Sequence, residues 1–187
     1  MNTHVARNHP SFIVENKNGL LSFFVKVFLG SLLIAISAQI TIPSWPVPMT
    51  LQPPVLMIIG LMTSPRIAVA SVVAYILEGA YGMPVFHAFK GGIPHLLNTT
   101  GGYIFGFIPM VYLISTLKDK SQTFLYSFGI CFLGNIALYT VGISYLSLFV
   151  GFDAAIQMGL VPFLFKIVFG ILFAILSANL IRKFKII

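Results

Sequence analysis

Acidic side chains are scarce in this chain: Asp and Glu together number 4 in 187 residues. A reaction run by paired carboxylates has little to draw on. Charge of either sign is low, at 8% of residues, where a soluble domain carries about 25%. A water-soluble surface is therefore excluded. There is one cysteine, Cys131, so neither an internal disulfide nor a multi-cysteine metal site can form. It sits in an apolar run and reads as a small core residue. The His-Glu-x-x-His, Gly-x-Ser-x-Gly and Gly-x-x-x-x-Gly-Lys-Ser patterns are all missing, which removes the familiar zinc-protease, serine-hydrolase and nucleotide-binding readings. His87 and His95 have no carboxylate or cysteine beside them, and two ligands are too few for a zinc site. His4 and His9 lie in the polar start of the chain. The sequence offers no catalytic residue, no cofactor motif and no metal site, and any ATP chemistry belongs to another polypeptide.

What is present is apolar. Hydrophobic residues make up 58% of the chain, and the mean hydropathy is +0.98. The direct reading is an all-α integral membrane protein. Apolar runs occupy about 20–42, 50–64, 67–82, 101–117, 122–150 and 157–181. A spanning helix needs about 17–25 residues, which the first, fifth and sixth runs provide easily and the fourth barely. The second and third are too long together for one span. Thr63-Ser64-Pro65-Arg66 divides them, because the residue before a proline avoids the helical region. Residues 1–19 are polar, with Arg7, Glu15 and Lys17, and have no apolar stretch of the kind a cleaved signal carries. They read as a cytoplasmic N-terminal tail, and 20–187 as one six-helix transmembrane substrate-binding domain.

The net charge of +7 would suggest nucleic acid only if it formed a basic face; here the cations are scattered between apolar runs. With the N-terminus inside, Arg7, Lys17, Lys26, Arg66, Lys118, Lys120, Arg182, Lys183 and Lys185 all fall on the cytoplasmic side, leaving only Lys90 and Lys166 elsewhere. That is a strong positive-inside bias. Both termini are then cytoplasmic, and the protein is a multi-pass component of the cell (inner) membrane. Three links fall outside: Pro43 to Pro48 around Trp45, residues 83–100, and residues 151–156 with Asp153. Non-helical backbone at a membrane persists only where protein buries it or it lines a polar cavity. Three such links over a bundle predict a ligand pocket under outer loops.

Few ionisable groups lie within the runs. Lys26 is near the cytoplasmic end of the first and snorkels to the headgroups. Glu78, near the outer end of the third, either faces the pocket or reaches interfacial water. Lys166 falls about nine residues into the sixth run, roughly 13 Å along a helix. A lysine at the bilayer centre costs about 2.5–3.5 kcal/mol, so it should face the bundle interior and a polar or anionic partner; the competing reading is a snorkelling lysine on a helix that begins later, near Pro162. Lys90 precedes Gly91-Gly92. These glycines allow close backbone approach and leave amide groups for an anion, and a cation beside them suits a carboxylate; the competing reading is a solvated loop lysine. Ser31 and Ala35, with Ala38, make one face of small residues and Gly102 and Gly106 another. Such faces serve internal packing or docking of a partner helix.

Two stretches resemble a known family. "AISAQITIPSWPVPMTLQPPVLMIIGLMTSPRIAVAS" and "YGMPVFHAFKGGIPHLLNTTGGYIFGF" combine "IP…PVPMTLQ" with "PVF…GG…TGGY-x-x-GF", as in BioY proteins, the biotin-binding S-components of energy-coupling-factor (ECF) transporters. The resemblance covers roughly 30–185. It implies a six-helix bundle that takes biotin from outside, with no cofactor, and that docks on a transmembrane coupling subunit with two ATPases. It places Lys90 of "FKGG" on the valerate carboxylate and aligns Lys166 of "KIVFGILFA" with the lysine of an Asp-x-x-Lys pair. Phe163 stands where that Asp is expected, and Asp153 is the only acid nearby in sequence. The substrate-binding set is Lys90, Gly91, Gly92, Tyr103, Lys166, Trp45, Gln52, Phe86 and Asp153, and Ser31 and Ala35 are the nearest match to the docking face. The alternatives are an intramembrane enzyme using Glu78, His87 or Lys166, an S-component for a related ring-containing vitamin, or a purely structural subunit.

Overall fold

A computed structural model describes residues 17–42, 46–118 and 123–183. Most of the 1–19 tail therefore lies outside the described residues, as do Trp45, Lys120 and Lys185. The elements are α1 (Lys17–Gln39), β1 (Thr41–Ile42), β2 (Met49–Thr50), α2 (Gln52–Met62), α3 (Pro65–Ala80), α4 (Ile93–Leu96), α5 (Gly101–Leu117), α6 (Phe124–Val150), α7 (Phe152–Gly159) and α8 (Leu164–Lys183). Single 3-10 turns occupy His87–Phe89 and Val161–Phe163. Among the described residues, three helical stretches are long and apolar enough to cross a membrane: Gly19–Gln39, Phe124–Val150 and Phe152–Lys183. Helices α2 and α5 are apolar but shorter.

The expected break between the second and third runs is present. Ser64 is extended (φ −66°, ψ 157°) and Pro65 opens α3, where its missing N–H costs nothing. The sixth run departs from expectation. Gly151, at φ 82°, ends α6; α7 and a turn through Pro162 follow, and α8 begins only at Leu164. Lys166 thus stands in the first turn of its helix, at the end of the bundle where the irregular links gather, and not near the helix middle. An antiparallel ribbon also forms, with Thr41 opposite Thr50 and Ile42 opposite Met49.

Small residues set the helix packing. A Cβ on Gly102 would lie 2.3 Å from Tyr145 Cβ, and one on Gly106 2.9 Å from the Leu138 carbonyl oxygen, so α5 and α6 touch backbone to side chain. The α1 stripe also turns inward. Gly30 packs on Ser71 of α3, and Ser31 (1% exposed), Ile34, Ala35 and Ala38 are buried. This corrects the docking expectation for Ser31 and Ala35: their surface is spent inside this chain. The opposite face of α1, including Leu21, Phe28, Leu29 and Leu33, is exposed and mainly apolar, with Ser22 and Lys26 the polar residues toward its start.

The two ends of the bundle differ in chemistry. At one, Lys118 Nζ donates to the Thr63 carbonyl (2.5 Å) and Arg182 Nη2 to that of Leu61 (3.0 Å), capping the last carbonyls of α2. At the other, Gln39 ends α1, and its amide donates to the Phe86 carbonyl (3.0 Å) while its side-chain oxygen accepts from Phe89 N–H (3.0 Å). The site forms at this second end.

Candidate functional site

Helix α2 begins at the site. Pro53 and Pro54 in its first turn favour helix initiation there, which fixes Gln52 facing inward, 5% exposed. The Gln52 amide donates to the Tyr75 hydroxyl (2.9 Å), and its oxygen accepts from Thr50 Oγ1 (3.0 Å). The carbonyl of the same Thr50 accepts from Lys166 Nζ. Phe163 completes that corner, its ring centroid 5.8 Å from the ammonium, a cation–π distance. The charge of Lys166 is met by a carbonyl dipole and an aromatic face. Asp153 does not reach it: the residue is exposed on the first turn of α7 and away from the cavity.

These groups line an inner chamber. Its other walls are aromatic and apolar: Tyr75, Tyr103, Phe107, Leu138, Tyr139 and Phe163. The Tyr103 hydroxyl donates to the Gly159 carbonyl at 2.9 Å, so Tyr103 presents its ring to the chamber while its polar tip ties α5 to α7.

A second cavity forms the mouth and includes Lys90, Asn98 and Thr99. Pro48, His87, His95 and Thr100 line both cavities, so mouth and chamber adjoin at these residues. Lys90 is exposed. Its two glycines have different duties. A Cβ on Gly91 would lie 2.4 Å from the Met83 carbonyl oxygen, and Gly92 has φ +90°. The expectation of a free amide fails for Gly92, whose N–H donates to the Gly79 carbonyl at 2.6 Å. Ahead of Lys90, Ala88 and Phe89 both take positive φ (57° and 55°), unusual for residues with side chains; the Gln39 contacts hold this turn in place.

Phe86, expected to touch ligand, stands behind the wall. It is fully buried, stacks on His95 (5.0 Å between ring centres, 20°) and meets Tyr75 edge-on at 5.4 Å. It sets the position of two lining residues without lining either cavity itself. Glu78 faces neither the chamber nor the mouth; it accepts from Ser31 Oγ at 2.9 Å and joins α3 to α1. His87 Nδ1 is 3.1 Å from Thr41 Oγ1. Burial, and then the nearby Lys90 charge, push His87 below its ordinary pKa, as they do His95, to which His87 adds a smaller effect.

The site therefore joins Gln52, Tyr103 and Lys166 in the chamber to Lys90 at the mouth, with Gly91, Gly92 and Phe86 in support. Thr50, Tyr75 and Tyr139 were not singled out from the sequence, because nothing in an apolar run marks which side chain faces inward, and His95 was weighed there only as a metal ligand.

Comparisons with known proteins bear on the family and the fold. The model of the BioY family matches residues 11–185. The chain is 37% identical to a probable biotin transporter BioY of Rickettsia prowazekii, covering 85% of this chain and 84% of that protein. It is 33% identical to the biotin transporter BioY of Thermotoga maritima, covering 87% and 96%. A crystal structure of the S-component for biotin from an ECF-type ABC transporter superposes with a TM-score of 0.74 at 25% identity, over 90% of this chain and 93% of that one.

Proposed function

This chain belongs to the BioY family, and on that premise we propose that it is the membrane-embedded capture subunit of a biotin uptake system. The observation that carries the reading is the two-part cavity: an aromatic chamber with a few fixed polar groups adjoins a mouth bearing a lysine. Biotin has matching parts, a compact bicyclic ring and a flexible tail ending in a carboxylate. The ring fits among Tyr75, Tyr103, Tyr139 and Phe163, where burial supplies most of the affinity. Its ureido carbonyl accepts from Lys166, and the Gln52–Tyr75 pair is within the same wall. The carboxylate meets Lys90. Relatives that share most of the chain are named as transporters, so the intramembrane-enzyme reading is set aside.

The proposed topology has six membrane passes, with the cavity end outside and both termini cytoplasmic in the cell membrane. Support comes from the gathering of Lys118 and Arg182 at the end opposite the cavity. The structural relative is part of an ECF-type transporter, and we infer the same arrangement here: a coupling subunit and ATPases supply the work, and this chain supplies recognition.

Titrating the purified protein with biotin tests the reading. One biotin per chain should bind far below millimolar, and failure of biotin, its close analogues and the free ureido ring to bind would overturn it. Lys90→Ala should weaken biotin by about 1.5 kcal/mol, the lower end for a hydrogen bond to a charged group, because Lys90 is exposed. The loss should largely disappear for biotin amide; equal losses would make Lys90 a shaper of the loop.

A further inference from the structure

The two outer histidines line both cavities, at the neck a ligand must occupy if its ring is in the chamber and its tail in the mouth. Their hydrogen-bonding states differ. Thr41 Oγ1 lies 3.0 Å from the Ala38 carbonyl and 3.1 Å from His87 Nδ1, so one ring nitrogen of His87 is already engaged by the protein. His95 is not fixed in this way. Its ring plane is held by the stack on Phe86, while among the described residues no hydrogen bond engages either ring nitrogen. It can take whichever tautomer the ligand requires.

The charged surroundings suit an anion. Lys90 stands in the mouth beside His95, and Lys166 in the chamber; the other titratable groups lining the two cavities are His87, Tyr75, Tyr103 and Tyr139. No Asp or Glu is among the described lining residues.

We propose that His95 contacts the ligand directly, one ring N–H donating to a carboxylate oxygen while Lys90 holds the other. The imidazole and the ammonium then fix the acid end of the ligand at the neck, and Phe86 acts as the positioning residue that aims the imidazole. Burial and the adjacent Lys90 and His87 charges favour the neutral ring, which makes His95 a hydrogen-bond donor and leaves the ionic contact to Lys90. This inference rests on the biotin reading above.

The test compares wild type, His95→Phe and His95→Gln, each titrated with biotin and with the same ring bearing an uncharged alkyl tail. Phe keeps the stack and removes the donor; Gln keeps a donor and removes the ring. His95→Phe should bind biotin about tenfold more weakly, a typical loss for one hydrogen bond to a charged group, and bind the neutral-tail compound as wild type does. His95→Gln should retain most of the biotin affinity. Unchanged biotin affinity in His95→Phe, or equal losses for both ligands, would overturn the proposal. Wild type that binds biotin but not in this pattern leaves the capture reading intact; wild type that binds no biotin overturns that reading itself. If His95→Phe does not fold, His95→Val set against His95→Gln gives the same contrast.

Discussion

A lysine is tolerated in an apolar helix only when something near it answers its charge. Lys166 is answered by the Thr50 carbonyl and the Phe163 ring, neither of which carries a formal charge. The charge is thus only partly compensated, and in the proposed biotin pose the ligand's ureido carbonyl completes the pairing. Lys166→Met keeps the length and removes the cation. The variant should melt at the wild-type temperature or above when empty, since removing a poorly paired charge is not destabilising. Its biotin-induced rise in melting temperature should shrink; a tenfold weaker site lowers saturating stabilisation by about 1.4 kcal/mol. An unchanged rise would make Lys166 a bystander. The outer histidines give a pH test. Their folded-state pKa values lie below the ordinary 6.5, so below that value the unfolded chain binds more protons than the folded one, and stability falls as pH falls. Melting should drop on acidification from pH 6.5 toward the folded-state values. The double variant His87→Gln, His95→Gln should flatten that drop, whereas a wild-type melting temperature that rises with acid would contradict it.

Among the elements, the segment from Tyr81 to Thr100 has the least regular backbone and contributes most to the mouth. It is positioned by contacts with its neighbours: Gln39 grips Phe86 and Phe89, and the Gly79 carbonyl grips Gly92. Gly92→Ala must place a side chain at φ +90°, a strain of about 1–3 kcal/mol. It should lower the melting temperature and weaken biotin through displacement of Lys90 and His95. Melting and affinity both unchanged would show that the loop relaxes freely. The α1 stripe makes the contrasting case. The spacing of Ser31 and Ala35 was legible in the sequence as a close-packing face, but spacing does not name the partner, and that partner is α3 of the same chain.

At the scale of the whole molecule, the ends of the bundle have opposite duties. The cavity end holds the irregular links, and the other holds cations that cap helix carbonyls. The proposed orientation is checked by cysteine substitution. Cys131 is buried and should stay silent to a membrane-impermeant thiol reagent. A cysteine replacing exposed Lys90 should label in intact cells, and one replacing exposed Arg66 only after permeabilisation. The reverse pattern would invert the topology.

Composition and motif spacing by themselves determined the class, most of the helical runs and the break at Ser64–Pro65, and singled out Lys90 and Lys166 as candidates. Hydropathy and proline act locally, so a one-dimensional reading recovers them. The tertiary structure decided what depends on neighbours distant in sequence. It began α8 at Leu164, moving Lys166 to the cavity end of its helix. It put Phe86 behind the wall and His95 on it, and left Asp153 outside. It also gathered Thr50, Gln52 and Tyr75 into one hydrogen-bonded wall. Which side of an apolar helix faces a cavity is fixed by packing against other helices, and in lipid both sides are apolar, so the usual amphipathic signal carries little information.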